Sequence, residues 1–201
     1  MSYFKKLLQI LVTLLAALQL TACSRTVQWE EEVPLNTGEM IVVKRTGSYT
    51  FKSAPGNPLE FGYGPEWRST IEFTYKGRRY THTDDAGLVL LAIAPDGTPN
   101  LVASAANHDW QWKNNYFCTT PFYVQLKPDS SGKQWSWPEQ IDSWLYNLPT
   151  NLIFGLVPLE TSGRRLSPAD RVVSNASVTV AFKHYQTIDP THTTQSCPRR
   201  K

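Results

Sequence analysis

Beyond its first two dozen residues, the chain consists of short apolar runs separated by turn residues, a pattern that predicts an antiparallel β domain. Residues 27–33 and 39–45 flank the turn sequence PLNTG, so we expect them to form a hairpin. From Trp67 to Tyr75 apolar and polar side chains alternate. This alternation predicts a strand with one buried and one solvated face, followed by another strand over residues 78–83.

Later apolar runs extend this β pattern. The run LVLLAIA, residues 88–94, is apolar throughout and predicts a central strand covered on both faces, with residues 101–103 pairing back to it. Further strands are predicted over residues 116–126 and 178–185. Residues 53–66 contain three prolines and three glycines, which predicts a long loop.

Two segments carry helical signals. Apolar residues recur with helical spacing in PEQIDSWLYNL, which predicts a helix over residues 138–148. Ser167-Pro168-Ala169-Asp170 resembles a cap, a first-turn proline and an acid that open a short helix over residues 171–174. The expected fold is therefore mainly β, an antiparallel sandwich or strongly bent sheet with one or two short helices, and the strand order stays open.

The N-terminus has the layout of a secretory signal. Lys5 and Lys6 precede a 14-residue apolar run, residues 7–20, and small residues follow at Thr21 and Ala22. A membrane-spanning helix needs about 20 predominantly apolar residues, so a retained transmembrane anchor is the weaker interpretation.

The four residues Leu20-Thr21-Ala22-Cys23 resemble the lipobox of bacterial lipoproteins. The resemblance implies a signal peptide over residues 1–22, cleavage after Ala22, and acylation of Cys23, which would tether the domain of residues 23–201 to a lipid bilayer. The alternative is an ordinary signal peptide followed by a chance cysteine. Ser24 follows the cysteine where enterobacterial lipoproteins retained in the inner membrane carry an aspartate. The resemblance thus implies an outer-membrane anchor with the domain facing the periplasm.

Length and charge narrow the class of protein. The chain has 201 residues, and the part after residue 22 fits one domain of ordinary size. Without the two lysines of residues 1–22, 18 basic residues face 17 acidic ones. This near balance removes the main electrostatic argument for a nucleic-acid partner.

Cys118 and Cys197 are the two cysteines left once Cys23 is acylated. In an oxidising compartment they are expected to form a disulfide, which would also fix the polar C-terminal tail. Closing a loop of about 80 residues would stabilise the fold by roughly 4 kcal/mol. The alternative is two free thiols.

Tryptophans are the main candidates for a binding surface. Trp135 and Trp137 lie in the polar stretch DSSGKQWSWPEQ and would project to the same side of an extended segment, while Trp110 and Trp112 form a second group. Such rings, with acids and amides nearby, suit sugar rings or a partner peptide. Core packing is the competing explanation for all four.

No catalytic or metal constellation is recognisable in the chain. Some acids are of the type used in glycan hydrolysis, but no spacing pairs them: Asp84, Asp85, Asp109, Glu139 and Asp142. His82 and His108, beside two of these acids, lack any metal-binding spacing. Ser130-Ser131-Gly132-Lys133 matches the S-x-x-K string of penicillin-recognising enzymes without its companion motifs, so we interpret it as a turn. The acidic run Glu30-Glu31-Glu32 is interpreted as a solvated face. No catalytic residue, metal or cofactor is therefore expected.

Two functional hypotheses follow from these observations. The first is a non-enzymatic envelope lipoprotein whose domain is structural or binds another envelope protein. The second is a glycan-directed protein, either a sugar-binding module or a cell-wall hydrolase. A hydrolase needs two converging carboxyl groups, a sugar module needs exposed coplanar rings, and a partner-binding domain needs a complementary surface patch.

Overall fold

A computed structural model describes residues 24–54, 57–104, 123–138, 141–155, 157–181 and 185–189. Within these ranges the fold is mainly β, as predicted, and contains one α-helix and two short 3-10 turns. The elements in chain order are β1 (Ser24–Pro34), β2 (Met40–Ala54), β3 (Asn57–Tyr75), β4 (Arg78–Asp84), β5 (Gly87–Ile93), β6 (Pro99–Ser104), β7 (Tyr123–Pro128), β8 (Trp135–Ser136), 3-10 turns at Ser143–Leu145 and Leu159–Thr161, β9 (Arg165–Leu166) and α1 (Pro168–Ala181).

The first sheet has the strand order β4-β3-β2-β1-β9. Its strands are antiparallel neighbours except β9, which pairs with β1 in parallel. The predicted hairpin at residues 27–45 is confirmed, with Gly38 in the left-handed region at its turn. The alternation over β3 is also confirmed, since Ser69, Ile71, Phe73 and Tyr75 are buried.

The predicted loop at residues 53–66 is wrong, because β2 continues to Ala54 and β3 begins at Asn57. Pro58 and Pro65 are compatible with this strand for a geometric reason. The pairing of β2 with β3 shifts register between Ser53 and Ala54, which leaves Pro58 without a partner in β2, and again between Gly47 and Tyr49, next to Pro65. Such bulges tolerate residues that lack a main-chain N–H.

The second sheet has the order β5-β6-β7-β8. Residues 87–93 are all buried, as predicted for a strand covered on both faces. The predicted central position is wrong, because β5 lies at the end of this strand order. Asparagine side chains cover its outer edge instead of a neighbouring strand: Asn151 Oδ1 accepts from Leu91 N at 2.8 Å, and Asn36 Oδ1 accepts from Ile93 N at 2.7 Å.

The two sheets pack face to face as a sandwich. One core cluster contains Ile71 and Phe73 of the first sheet together with Leu91 and Leu101 of the second. Val102 and Tyr123, from the other face of the second sheet, form another cluster with Ile141, Leu145 and Ile188. The second sheet therefore lies between the first sheet and the loops that follow β8.

The helix α1 opens as its cap residues predict, because Ser167 Oγ accepts from Asp170 N at 3.3 Å and Asp170 Oδ2 accepts from Ser167 N at 2.8 Å. The helix then continues to Ala181, so the predicted last strand over residues 178–185 is wrong. Asn175 bonds the main chain of Leu152 and Phe154 and fixes the helix to the domain. The cap and this tertiary contact outweigh the strand preference of the β-branched residues that follow.

The helix predicted over residues 138–148 is wrong for the described part, which forms only the 3-10 turn Ser143–Leu145. The backbone of Asp142 is extended, and its N–H donates to Gln125 Oε1 of β7 at 2.8 Å. This bond to the sheet replaces the helical one. The apolar stripe is nevertheless used, since Ile141 and Leu145 are buried.

Glu31 corrects the prediction of a solvated acidic run. Strand β1 turns Glu31 inward, where its side chain is buried, whereas Glu30 and Glu32 are half-buried. Buried Arg45 on β2 lies beside it, with Arg45 Nη1 at 3.2 Å from Glu31 Oε1. A buried carboxylate is compatible with the fold because it is paired.

Candidate binding groove

A groove of about 590 Å³ runs between β4 and the segment that leads into β8. Its lining combines two tryptophan rings with hydrogen-bonding and charged side chains, a mixture suited to a polar chain with some apolar character. The lining residues are Thr81, His82, Thr83, Asp84, Lys133, Trp135 and Trp137. The structure therefore brings together one of the two tryptophan pairs predicted from the sequence, while Trp110 and Trp112 lie outside the described residues.

Trp135 and Trp137 are half-buried, and both rings pack partly against the main core while also lining the groove. Trp135 Nε1 donates to Thr81 O at 2.7 Å, which fixes the ring against β4. The same ring meets His82 edge-on, with centroids 5.4 Å apart. Core packing and groove lining are therefore combined in the same two side chains, and Trp135 is held rigidly.

His82 and Asp84 are separated by two positions in β4, so their side chains lie on one side of the strand. His82 Nε2 is 3.6 Å from Asp84 Oδ2. The sequence presented these residues as isolated metal-ligand types, whereas the strand makes them neighbours. Within the described ranges no group of three or more metal-binding side chains occurs, so the pair carries no argument for a metal site.

Among the described strands, none pairs with the edge of β4 that faces the groove, and we refer to this edge as the free edge of β4. Thr81 N donates to Gly132 O at 3.0 Å, and Thr81 O accepts from Trp135, so both main-chain groups of Thr81 point away from β3. Main-chain direction repeats at every second residue, so the N–H and C=O of Thr83 point the same way. Among the described residues, no hydrogen bond engages the main chain of Thr83 on that side.

The turn sequence SSGK positions the wall of the groove, and its interpretation as a turn is confirmed. The carboxylate of Asp129 accepts hydrogen bonds from Ser131 and Lys133 within this turn. Gly132 has a φ of 73°, and a Cβ at this position would lie 2.7 Å from Arg79 O. Only glycine therefore allows the turn to approach β4 this closely.

The candidate acids do not converge in the part of the chain that is described. Asp142 accepts from Gln125 Nε2 at 2.9 Å and Trp144 Nε1 at 3.1 Å, and Lys127 Nζ lies at 2.8 Å. Burial opposes ionisation of Asp142, but these hydrogen bonds outweigh it and hold its pKa below the ordinary value. Asp142 thus joins β7 to the following loop, and Asp109 and Glu139 lie outside the described residues.

The three cysteines also lie outside the described residues, so acylation of Cys23 and the disulfide between Cys118 and Cys197 stay predictions. Sequence reasoning missed the part played by Thr81 and Thr83. The signal for it was the Lys76-Gly77 turn, since both residues have positive φ and form a two-residue hairpin connection. Such a connection fixes which residues of β4 face outward.

Comparisons of the chain with protein-family models, with curated proteins and with solved structures found no match. Among the residues that the structure describes, no helix is both long and apolar enough to cross a bilayer.

Proposed function

We propose that the chain is a lipoprotein of the bacterial envelope, anchored in the outer membrane through acylated Cys23, whose domain binds an extended segment of another envelope protein without catalysing a reaction. The observation that carries the binding part of the proposal is the free edge of β4 at Thr83, beside the rings of Trp135 and Trp137. The lipobox-like residues 20–23 carry the anchoring part.

Anchoring follows from the chemistry of the acyl chains. Each buried CH₂ group contributes about 0.8 kcal/mol, so two or three chains on Cys23 hold a protein stably on a bilayer. The strand β1 begins at Ser24, the residue that follows Cys23. The anchor would then join the folded domain directly, and the domain would lie close to the membrane surface.

The anchoring proposal predicts that Cys23→Ala abolishes lipid labelling. Cells grown with a palmitate analogue should label the wild-type protein and leave the variant unlabelled, because only the Cys23 thiol receives the diacylglyceryl group. Equal labelling of the two proteins would contradict the proposal.

Binding by strand addition uses main-chain groups that are already oriented. An extended peptide placed along β4 would exchange two hydrogen bonds with the N–H and C=O of Thr83. Its alternate side chains would contact Trp137 on the apolar side, while Lys133 and Asp84 offer charges of both signs. Recognition of this kind needs no catalytic group.

Thr83→Pro tests this mode of binding with little disturbance of the fold. Proline removes an N–H that points away from β3, so the sheet keeps its hydrogen bonds. Thr83→Val is the matched control, because it keeps the N–H and, like proline, loses the hydroxyl that bonds Thr70 Oγ1 at 2.8 Å. Benzoylphenylalanine at exposed Lys133 should photo-crosslink a defined protein segment in cells.

We expect this adduct to persist in Thr83→Val and to fall roughly tenfold in Thr83→Pro, the effect of losing one oriented hydrogen bond together with a steric block. Mass spectrometry of the adduct identifies the segment, and circular dichroism establishes that both variants fold. Equal adduct yield in the two variants would contradict strand addition.

Glycan binding is the second candidate, favoured by the two tryptophan rings that line the groove together with polar side chains. Glycan binding and strand addition depend on different residues of the groove. Retention on purified peptidoglycan that is lost in Trp137→Ala and unchanged in Thr83→Pro would favour the glycan. Cleavage of the glycan would instead favour a hydrolase.

A further inference from the structure

The hairpin of β2 and β3 extends beyond the rest of the first sheet. Pairing of β1 with β2 begins at Ser24 and Thr50, and pairing of β3 with β4 ends at Ser69. Residues 51–54 therefore pair only with residues of the range 57–63 among the described strands. We refer to residues 51–54 and 57–63 as the hairpin extension.

Three aromatic residues occupy one face of the hairpin extension. Phe51 lies opposite Tyr63, and Phe61 lies two positions from Tyr63, so the three rings share a face. The Phe51 and Phe61 rings stack with centroids 6.0 Å apart, and the Phe51 and Tyr63 rings meet edge-on at 5.4 Å. Phe51 is 48% exposed and Phe61 is 59% exposed.

This exposed face continues the apolar inner face of the sheet. Tyr49, two residues before Phe51, is buried in a core cluster with Trp29, and Tyr63 packs against the same cluster. Beyond Tyr49 the apolar pattern of this face therefore continues onto Phe51 and Phe61, whose side chains are exposed. Two exposed stacked phenylalanines in adjacent strands cost free energy in water and are typical of an interaction surface.

The position of the anchor identifies what covers these rings. Ser24 pairs with Thr50, and Phe51 is the next residue of β2. Cys23 is joined to Ser24 by a single peptide bond, so an acylated Cys23 would bring the bilayer surface to the end of the sheet where Phe51 and Phe61 are exposed. Arg25 lies on the same face, with its Cζ 4.2 Å from the centroid of the Tyr63 ring, and offers a cation for lipid phosphate.

We propose that the hairpin extension docks on the lipid bilayer, with Phe51 and Phe61 in the interfacial region beside the acyl chains of Cys23. Aromatic rings are favoured at this depth, because one part of the surroundings is apolar and the other is hydrated. The proposal rests on the acylation of Cys23 proposed above. It adds a second contact, which fixes the orientation of the domain instead of leaving it free on a tether.

Docking of the hairpin extension also sets the distance between the binding groove and the bilayer. Thr83 pairs with Thr70, and Thr70 pairs with Thr46, which is four residues from Thr50 along β2. At about 3.4 Å per residue, the free edge of β4 would lie on the order of 15 Å from the docked end of the sheet. The opposite end of β2, at Met40, would point away from the membrane.

Photo-crosslinking in cells tests the proposal on the full-length protein. Benzoylphenylalanine replaces Phe61 in one strain and Met40 in another. Met40 is the matched control, since it is 54% exposed and lies at the other end of the same strand β2, about 30 Å from Thr50. The cells are labelled with radioactive phosphate before irradiation, and the purified protein is examined for label attached as phospholipid.

We expect phospholipid adducts at position 61 to exceed those at position 40 at least fivefold. A protein adduct at position 61 in place of lipid would overturn the proposal and indicate a partner protein on this face. Equal lipid yield at both positions, or none at position 61, would also overturn it.

Palmitate-analogue labelling of the same two proteins separates this proposal from the one on which it rests. Labelled protein without a lipid adduct at position 61 contradicts docking of the hairpin extension and leaves the anchor in place. Unlabelled protein contradicts the anchor itself. If unlabelled protein still gives phospholipid adducts at position 61, the aromatic face docks on the bilayer without acylation.

Discussion

Arg45→Met is expected to lower the free energy of unfolding by about 3–5 kcal/mol, because it leaves the carboxylate of Glu31 buried without its cation. The Arg45 side chain is 1% exposed and that of Glu31 is 3% exposed. Burial lowers the pKa of Arg45, and the charge of Glu31 opposes this effect. Each charge is therefore tolerated in the core because the other is present.

The surroundings of Glu31 make this loss larger than that of an exposed ion pair. Trp29 Nε1 donates to Glu31 Oε1 at 2.7 Å, and Ile153 N donates to Glu31 Oε2 at 3.0 Å. These neutral donors remain in Arg45→Met but cannot replace the missing charge. Arg45 also joins β2 to the loop beyond the second sheet, since Arg45 Nη1 lies 3.4 Å from Ile153 O.

Urea unfolding of the purified protein, followed by tryptophan fluorescence, measures this effect. Lys44→Met is the matched control, because it removes the same charge from the adjacent, exposed position of β2 and is expected to change stability by less than about 0.5 kcal/mol. The double variant Glu31→Gln, Arg45→Met should regain part of the loss, since it removes both buried charges and keeps an amide oxygen that can accept from Trp29 Nε1 or Ile153 N. Equal stability of Arg45→Met and Lys44→Met would contradict this account.

The same pair of residues illustrates what the sequence can predict. The hairpin β1–β2 follows from a local turn signal and from alternation, and both features are properties of neighbouring residues. Burial of Glu31 depends on Arg45 across the hairpin and on Ile153 more than 100 residues away. No local pattern contains these long-range contacts, so the sequence alone predicts that the acidic run is exposed to solvent.

The predictions of a loop over residues 53–66 and of a strand over residues 178–185 are wrong for a similar reason. The prolines of residues 53–66 indicate a loop only in a regular ladder, whereas the pairing of β2 with β3 shifts register next to Pro58 and Pro65. The β-branched residues after Ser174 favour a strand locally, but the Ser167 cap and the Asn175 contact select a helix. In both segments, pairing or packing with other parts of the chain outweighs the local sequence preference.

The candidate groove was predictable in part. The spacing of Trp135 and Trp137 placed both rings on one side of an extended segment, and both line the groove. Their partner surface on β4 is remote in sequence, and its free edge becomes visible only once the register of β3 and β4 is known. The chemistry of single residues was therefore accessible from the sequence, whereas their assembly into a groove was not.

Asn151→Leu is expected to cost about 3 kcal/mol or more, because Asn151 replaces a neighbouring strand at the outer edge of β5. Its Oδ1 accepts from Leu91 N at 2.8 Å, and its Nδ2 donates to Leu91 O at 2.7 Å and to Pro34 O at 2.9 Å. Asn151 is buried, so leucine would leave these main-chain groups without a partner and without water. Each such buried group costs about 1–3 kcal/mol.

Asn36→Leu provides a control, because Asn36 is of the same residue type and its side chain also bonds the edge of β5. Asn36 bonds the N–H and the C=O of Ile93 at 2.7 and 2.9 Å, the arrangement that Asn151 makes with Leu91. Asn36 is exposed, so water can replace its amide, and the expected loss is about 1 kcal/mol. Urea unfolding of the two variants measures these losses of stability. Equal losses would show that burial of the bonded main-chain groups of β5 does not determine how much stability is lost. A larger loss in Asn151→Leu would identify this amide as the group that closes β5 against the end of the first hairpin.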